Sequence, residues 1–439
     1  MVTKSNYKFF SFVLIFLSLL SFFLGFHLDE NSAGGGSYLG DWSFLWPNLK
    51  LFINNDLYTA ITHENFISNR PPLIYMMHAS LNPFVENVIA YRRSVFIISL
   101  SVPVLFYFCL KQKFNNKDNL LLILIASTIF LSPYFRTSSY WGLEENYGII
   151  SLLLTFLFLN FFLKNKNEYG YKIYFQLFLL IFFSSLCIYF DQKLLIIPII
   201  CFLSIITSKK IIKLKLFSIC FYFILSLPYI YLIILWGGIF PSALTSARNL
   251  GDKLYLDHIG YTSTIIAFYF VPFLLFKGKD LSTEIKNFFL KKNNYYLILL
   301  FCIYILYLLV LSNFLGQNAL NIDVSTGKGF IHKSSLILFK NNFIIREIFI
   351  YFSFFISWVI VLIFIGKSFK NGLILLYFFL ASVLTLPLMQ EYFDPLIFIM
   401  IFTFFSSKLF ITYKNVIILF FYFSIFLVGS NIYYYNLLN

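Results

Sequence analysis

The chain has 439 residues, of which 60% are hydrophobic and only 12% charged, with a formal net charge of +14. This balance lies far outside that of soluble domains and requires lipid as the solvent. At about 20 apolar residues per bilayer crossing there is no room for a large water-soluble domain, which excludes a soluble enzyme, a secreted disulfide scaffold, a disordered regulator and a protein with nucleic acid as its partner.

The first apolar run, residues 9–26, follows Lys4 and Lys8; it is long for a signal peptide, lacks a small-x-small cleavage site, and reads as a retained first span. Further apolar runs follow at 88–110, 119–134, 147–163, 173–190, 194–208, 216–235, 262–276, 295–313, 347–366, 372–389, 394–407 and 415–435. The expectation is an all-α polytopic membrane protein with about 13 transmembrane helices. The five cysteines are scattered singly through these runs, with no spacing that suits zinc.

Short lysine-dense loops set the orientation. They hold Lys111, Lys113 and Lys117; Lys164, Lys166 and Lys172; Lys209, Lys210, Lys213 and Lys215; and Lys277, Lys279, Lys286, Lys291 and Lys292. With these loops and the N-terminus in the cytoplasm, the basicity is a topology signal. All five histidines and all six arginines then fall on the opposite face, together with every carboxylate except Asp118, Glu168, Asp280 and Glu284. Longer outer loops would collect more polar residues of every kind, but length does not explain why arginine is absent inside. Arginine suits a face where phosphate or carboxylate is gripped in a fixed plane.

The longest outer segment, residues 27–86, opens with His27-Leu28-Asp29-Glu30-Asn31. A carboxylate pair at a membrane surface is partly desolvated, which suits general-base work if a cation or substrate keeps it ionised. The Gly34-Gly35-Gly36 run is a flexible turn or a point of close backbone approach to a ligand. The stretch from Asp41 to Tyr58 reads as an amphipathic interfacial helix, and the prolines after Arg70 force an extended turn before a second interfacial helix through His78. Arg70 is expected to meet an anion near the Asp29-Glu30 pair, whereas Arg92 and Arg93 read as headgroup anchors. The second outer loop, 133–146, brings Arg136, Glu144 and Glu145 to the same face, and Asp191-Gln192-Lys193 reads as a tight outer hairpin whose lysine can contact phosphate. Between 245 and 258, Arg248, Asp252, Lys253, Asp257 and His258 form a loop able to hold a phosphate or diphosphate. Gly327 to Lys333 and Gln390 to Pro395 are further outer candidates.

These features resemble the polytopic glycosyltransferases of the GT-C superfamily, which use polyprenyl-phosphate sugars. The resemblance is carried by Asp29-Glu30 after the first span, Arg70-Pro71-Pro72-Leu73-Ile74-Tyr75, the Arg92-bearing start of the second span, Glu144-Glu145, and Lys193 before a proline-containing span. It covers about the first 210 residues and implies a GT-C-like module over 1–210, with the catalytic first outer loop at 27–86, and a variable transmembrane module over 211–439 with donor-binding outer loops. Trp236-Gly237-Gly238 followed by Gly251-Asp252-Lys253 and His258 is similar to enzymes adding the terminal α-1,2-glucose to lipid-linked oligosaccharide, although the spacing to His258 departs from that pattern.

The resemblance implies sugar transfer to an acceptor hydroxyl of a glycan, lipid or protein at the non-cytoplasmic side of the membrane, the plasma (inner) membrane if the source is bacterial. Asp29 would be the base and Glu30 a supporting or acceptor-orienting group. Arg70, Lys193, Arg248, Lys253 and His258 would hold the donor phosphate, and Arg136, Glu144 and Glu145 would form the acceptor side. No cofactor is required on this reading, and Mg²⁺ or Mn²⁺ is a minor alternative. The rivals are a lipid-linked glycan flippase and a polysaccharide polymerase or ligase.

Overall fold

The computed structural model describes residues 4–33, 40–68, 70–165, 170–239, 241, 254–274, 276, 281–314, 327–340, 342–366, 368–385, 387–406 and 409–434. Among these the secondary structure is helical, with no strand and one isolated backbone bridge between Gly327 and Leu388. The chain is thus all-α. Among the described residues seven helices are long and apolar enough to cross a membrane: Ser5–His27, Val88–Lys113, Glu145–Lys164, Tyr171–Phe190, Ile212–Trp236, Phe343–Ile365 and Tyr413–Tyr434. Counting Asn119–Leu131 and Pro133–Trp141 as one span, bent by 69°, makes eight. Phe9, Ile97, Ile234, Ile348 and Ile425 are exposed on these helices, as lipid permits and water does not.

The runs expected at 194–208, 262–276 and 372–389 form apolar helices of fewer than 18 residues, Gln192–Ile206, His258–Leu274 and Phe369–Val383, and the run at 295–313 lies within the helix Lys292–Phe314. The third run, 119–134, breaks at Ser132-Pro133. Ser132 precedes Pro133 and takes an extended conformation, and its hydroxyl accepts from the Phe135 N–H to start a new helix. The run therefore breaks, and the expected second outer loop becomes a buried helix carrying Arg136.

The chain divides into two compact units, one of Met1–Gly251 with Phe420–Asn439 and one of Asp252–Leu419. In the first, α1 (Lys4–His27), α2 (Trp42–Asn54), α3 (Leu57–Thr62) and α4 (Leu73–Leu81) lead to α5 (Val88–Ser99) and α6 (Ser101–Lys113). Then come α7 (Asn119–Ser127), α8 (Pro133–Trp141), α9 (Glu145–Lys164), α10 (Tyr171–Phe190), α11 (Ile196–Ile206) and α12 (Ile212–Trp236). Helices thus form between α1 and α5 where amphipathic pattern predicts them.

Phe22 of α1 is fully buried, and its ring meets Phe96, Phe130, Phe135 and Tyr140 at centroid distances of 5.0, 4.8, 5.5 and 5.2 Å. Aromatic pairs at this spacing add about 0.5–1.5 kcal/mol each beyond area burial. The cluster fastens α1 to α5 and α8 and so fixes the start of the first outer segment.

The second unit contains α13 (His258–Leu274), α14 (Leu281–Leu290), α15 (Lys292–Phe314), α16 (Gly329–Phe339), α17 (Phe343–Ile365), α18 (Phe369–Val383) and α19 (Leu396–Phe402). Its core joins α13 to α17, where Tyr261 packs edge-on to Phe354 and Phe270 stacks on Phe364. The final helix, α20 (Tyr413–Tyr434), belongs to the first unit from Phe420 onward.

Candidate functional site

The segment between α1 and α5 begins with a sharp turn at the end of α1. The Glu30 N–H donates to the Gly25 carbonyl at 2.9 Å, and Asp29 between them adopts φ +51. Glycine is the usual residue at such a helix terminus, because a side chain in the left-handed region costs roughly 1–2 kcal/mol, somewhat less for Asp or Asn. The turn sends the two adjacent carboxylates in different directions.

Asp29 faces outward, with its side chain 57% exposed, and its Oδ1 accepts from Arg92 Nη2 at 2.6 Å. Arg92 is itself buried. Its Nε donates to the Tyr140 carbonyl at 2.7 Å, and its guanidinium lies 4.0 Å from the centre of the Trp141 ring. A guanidinium held on three sides gives the carboxylate one fixed orientation. Arg92 is the residue that sequence reasoning misplaced as a headgroup anchor; its partner lies 63 positions away.

Glu30 turns inward and is buried. Arg136 Nε donates to its two oxygens at 3.0 and 3.1 Å, Arg136 Nη2 makes a closer contact to Oε2, and Asn431 Nδ2 donates to Oε1 at 3.0 Å. The rest of the Arg136 guanidinium donates to the Phe130 and Ser21 carbonyls at 3.0 and 2.8 Å. A Cβ on Gly25 would lie 2.2 Å from Glu30 Oε2 and 2.5 Å from Arg136 Nη2, so only glycine admits this pair against α1. Glu30 and Arg136 thus spend their hydrogen-bonding capacity on each other and on the scaffold. Asn431 carried no signal beyond being an amide in an apolar run.

The second acidic pair forms a separate network. Arg70 Nη2 pairs with Glu145 Oε1 at 2.6 Å and Arg70 Nη1 with Glu144, where sequence reasoning placed Arg70 near Asp29 and Glu30. Ser138 donates to Glu145 at 3.2 Å. Lys193 pairs with Asp191 at 3.1 Å, its charge also acts on Glu145, and that of Asp191 acts on Arg70. Burial and the neighbouring Glu145 carboxylate raise the Glu144 pKa against the pull of Arg70. Three carboxylates thus surround two cations, and Arg70 and Lys193 reach a phosphate only by exchanging partners. His78 of α4 packs against Tyr91 and Tyr147 and is buried, with Nδ1 3.0 Å from Asn82 Nδ2, Nε2 without a hydrogen-bond partner, and a pKa lowered to about 4 by burial.

Of the other predicted donor residues, Arg248 and Lys253 lie outside the described residues. His258 belongs to the second unit, where it is buried, lies 3.0 Å through Nδ1 from the Ser382 carbonyl and stacks on Tyr255. Among the described residues no group of three or more His, Cys, Asp or Glu side chains is placed to hold a metal ion. Comparison of the chain with protein-family models, with curated proteins and with solved structures finds no match.

Proposed function

We propose that this membrane protein is a glycosyltransferase of GT-C-like architecture, with about 13 crossings in all. It moves a sugar from a polyprenyl-phosphate donor to an acceptor hydroxyl of a glycan, lipid-linked glycan or protein on the non-cytoplasmic face. The observation that carries the reading is Asp29: an outward carboxylate at the end of the first apolar helix, in a costly backbone conformation, oriented by a buried arginine. Strain of this kind persists where surrounding structure enforces it, and it clusters at functional sites.

In this mechanism Asp29 Oδ2 takes the acceptor proton as the hydroxyl oxygen attacks the anomeric carbon. The bond to the lipid phosphate oxygen breaks on the opposite side, inverting the configuration, and the phosphate leaves with the bonding electron pair. Glu30 supports the turn through Arg136. Glu144 and Glu145, held by Arg70, face the acceptor, and Lys193 meets the donor phosphate by leaving Asp191.

The test is incubation of purified protein with a panel of polyprenyl-phosphate sugars and acceptors while monitoring free lipid phosphate. Wild-type protein is expected to release it; Asp29→Asn is expected to stay folded, retain donor binding and release none. Turnover retained in Asp29→Asn would remove the mechanism.

A second reading is a lipid-linked glycan flippase. The 69° break between Asn119–Leu131 and Pro133–Trp141, beside the buried Arg136–Glu30 pair, favours it, because broken helices and buried ionisable pairs mark many transport pathways. Movement of labelled lipid-linked sugar across proteoliposomes without release of lipid phosphate would select it.

A further inference from the structure

The second unit holds a buried basic cluster that the transfer chemistry above does not use. Lys328 stands between Gly327 and Gly329 before α16, and all three residues occupy the left-handed region, at φ +77, +56 and +78. Lysine there costs on the order of 1 kcal/mol, yet its side chain is turned inward and only 6% exposed. Its ammonium lies 5.1 Å from the centre of the Tyr261 ring and 3.5 Å from Asp257. Its backbone N–H donates to the Leu388 carbonyl at 2.5 Å, which ties the turn in place.

His332 of α16 packs edge-on against the same Tyr261 ring and is fully buried. Its Nδ1 is 3.5 Å from the Tyr261 hydroxyl, and its Nε2 has no hydrogen-bond partner. Burial, with the charges of Lys328, Arg346 and Lys333, lowers its pKa to about 4, so the ring is neutral at physiological pH. The tautomer in which the Tyr261 hydroxyl donates to Nδ1 puts the proton on Nε2, which is then an unused donor.

Arg346, in the first turn of α17, is 3% exposed. It makes no ion pair among the described residues; its Nε has no hydrogen-bond partner, and Nη1 makes one long contact, 3.5 Å, to the Lys340 carbonyl. Its charge reaches both Tyr261 and His332. A buried guanidinium with so few hydrogen bonds is rare, because desolvating the charge costs several kcal/mol unless a closely placed anion compensates it. Among the described residues, the carboxylates that act on these two cations are Asp257, paired with Lys328, and Glu347, which feels the charge of Arg346 without pairing with it.

We propose that Lys328, His332 and Arg346 form a binding site for a phosphate-class oxyanion. The three groups come from a loop and two different helices: Lys328 and His332 both pack on the Tyr261 ring, and the charge of Arg346 acts on Tyr261 and His332. Arginine contributes the planar fork and lysine the point charge, while the neutral histidine donates a proton without adding repulsion. Such a phosphate is borne by a lipid headgroup or is free in solution. Nothing in the assignment depends on Asp29 or on sugar transfer.

Binding is measured by calorimetry on the full chain in lipid nanodiscs, with inorganic phosphate in one arm and dodecyl phosphate in the other. At least one probe is expected to bind. Comparable affinities identify a free phosphate as sufficient; binding of dodecyl phosphate alone identifies a lipid-borne one. Arg346→Gln and Lys328→Asn are each expected to weaken binding at least tenfold, and Arg346→Lys to weaken it less than Arg346→Gln. Should Arg346→Gln fail to fold, His332→Ala against His332→Gln decides, glutamine keeping a donor that alanine removes. In ¹⁵N-histidine spectra the bound anion is expected to raise the His332 pKa from about 4. Absence of binding by both probes, or parental affinity in folded Arg346→Gln and Lys328→Asn, would overturn the site. Because the probes carry no sugar, this failure is distinguishable from loss of turnover in Asp29→Asn.

Discussion

Asp29 and Glu30 are neighbours in sequence and opposites in environment, and their substitutions are expected to separate accordingly. Asp29→Asn and Asp29→Val both remove the charge that meets Arg92, but only asparagine tolerates the backbone at φ +51. Thermal unfolding should therefore find Asp29→Val less stable than Asp29→Asn by about 1–2 kcal/mol; equal melting would mean that the turn relaxes. Glu30→Met is expected to cost about 3–5 kcal/mol because it strands the buried Arg136. The double variant Glu30→Met, Arg136→Met should be more stable than the Glu30→Met single, as apolar side chains replace both charges; additive losses would show that the pair is not the unit of stability. Both carboxylates were visible in the sequence as an adjacent pair after an apolar run. Their division into one outward and one inward group was not, because it depends on Arg92, Arg136 and Asn431, which approach only in the fold.

At the scale of elements, the short helices of the first outer segment carry a pH dependence. His78 of α4 is held neutral with its pKa lowered to about 4, against 6.5 when unburied. The unfolded chain binds the proton first, so stability is full above about pH 6.5 and falls as pH drops from there toward 4. His332 of α16, also lowered to about 4, contributes with the same sign in the second unit. His78→Gln is expected to flatten the decline in melting temperature between pH 6.5 and 4 relative to the parent, provided the fold is retained; an identical slope would show that His78 is already protonated or solvated. The amphipathic pattern and the prolines made these helices legible in sequence. The buried α8 was hidden because Tyr134, Thr137, Ser138 and Ser139 give it the composition of a loop, although Ser132-Pro133 is a helix-start signal that could have revealed it.

For the whole molecule, composition alone identifies an all-α membrane chain, but hydropathy counts apolar runs and cannot measure where each helix breaks. The run read as 194–208 is one example: α11 occupies only Ile196–Ile206, preceded by a short turn through Lys193. The run read as 394–407 is another, with α19 ending at Phe402. Long-range pairings were likewise illegible, since Arg70 with Glu144 and Glu145 joins segments more than 70 residues apart, and no local spacing encodes it.

The return of α20 to the first unit gives the chain a demanding order of assembly. Asn431 meets Glu30 across a separation of 401 residues, and Phe421 lies against Phe10. A ribosome delivering this chain would place α1 in the bilayer long before its last packing neighbour exists, so the inward carboxylate must wait with an incomplete set of donors while the entire second unit is synthesised. Release of α20 from the ribosome is then the event that completes the wall behind Asp29. A chain stopped before Phe420 should accordingly reach the membrane yet be cleared faster than full-length protein in a pulse-chase, and Asn431→Leu should reproduce a milder form of that defect.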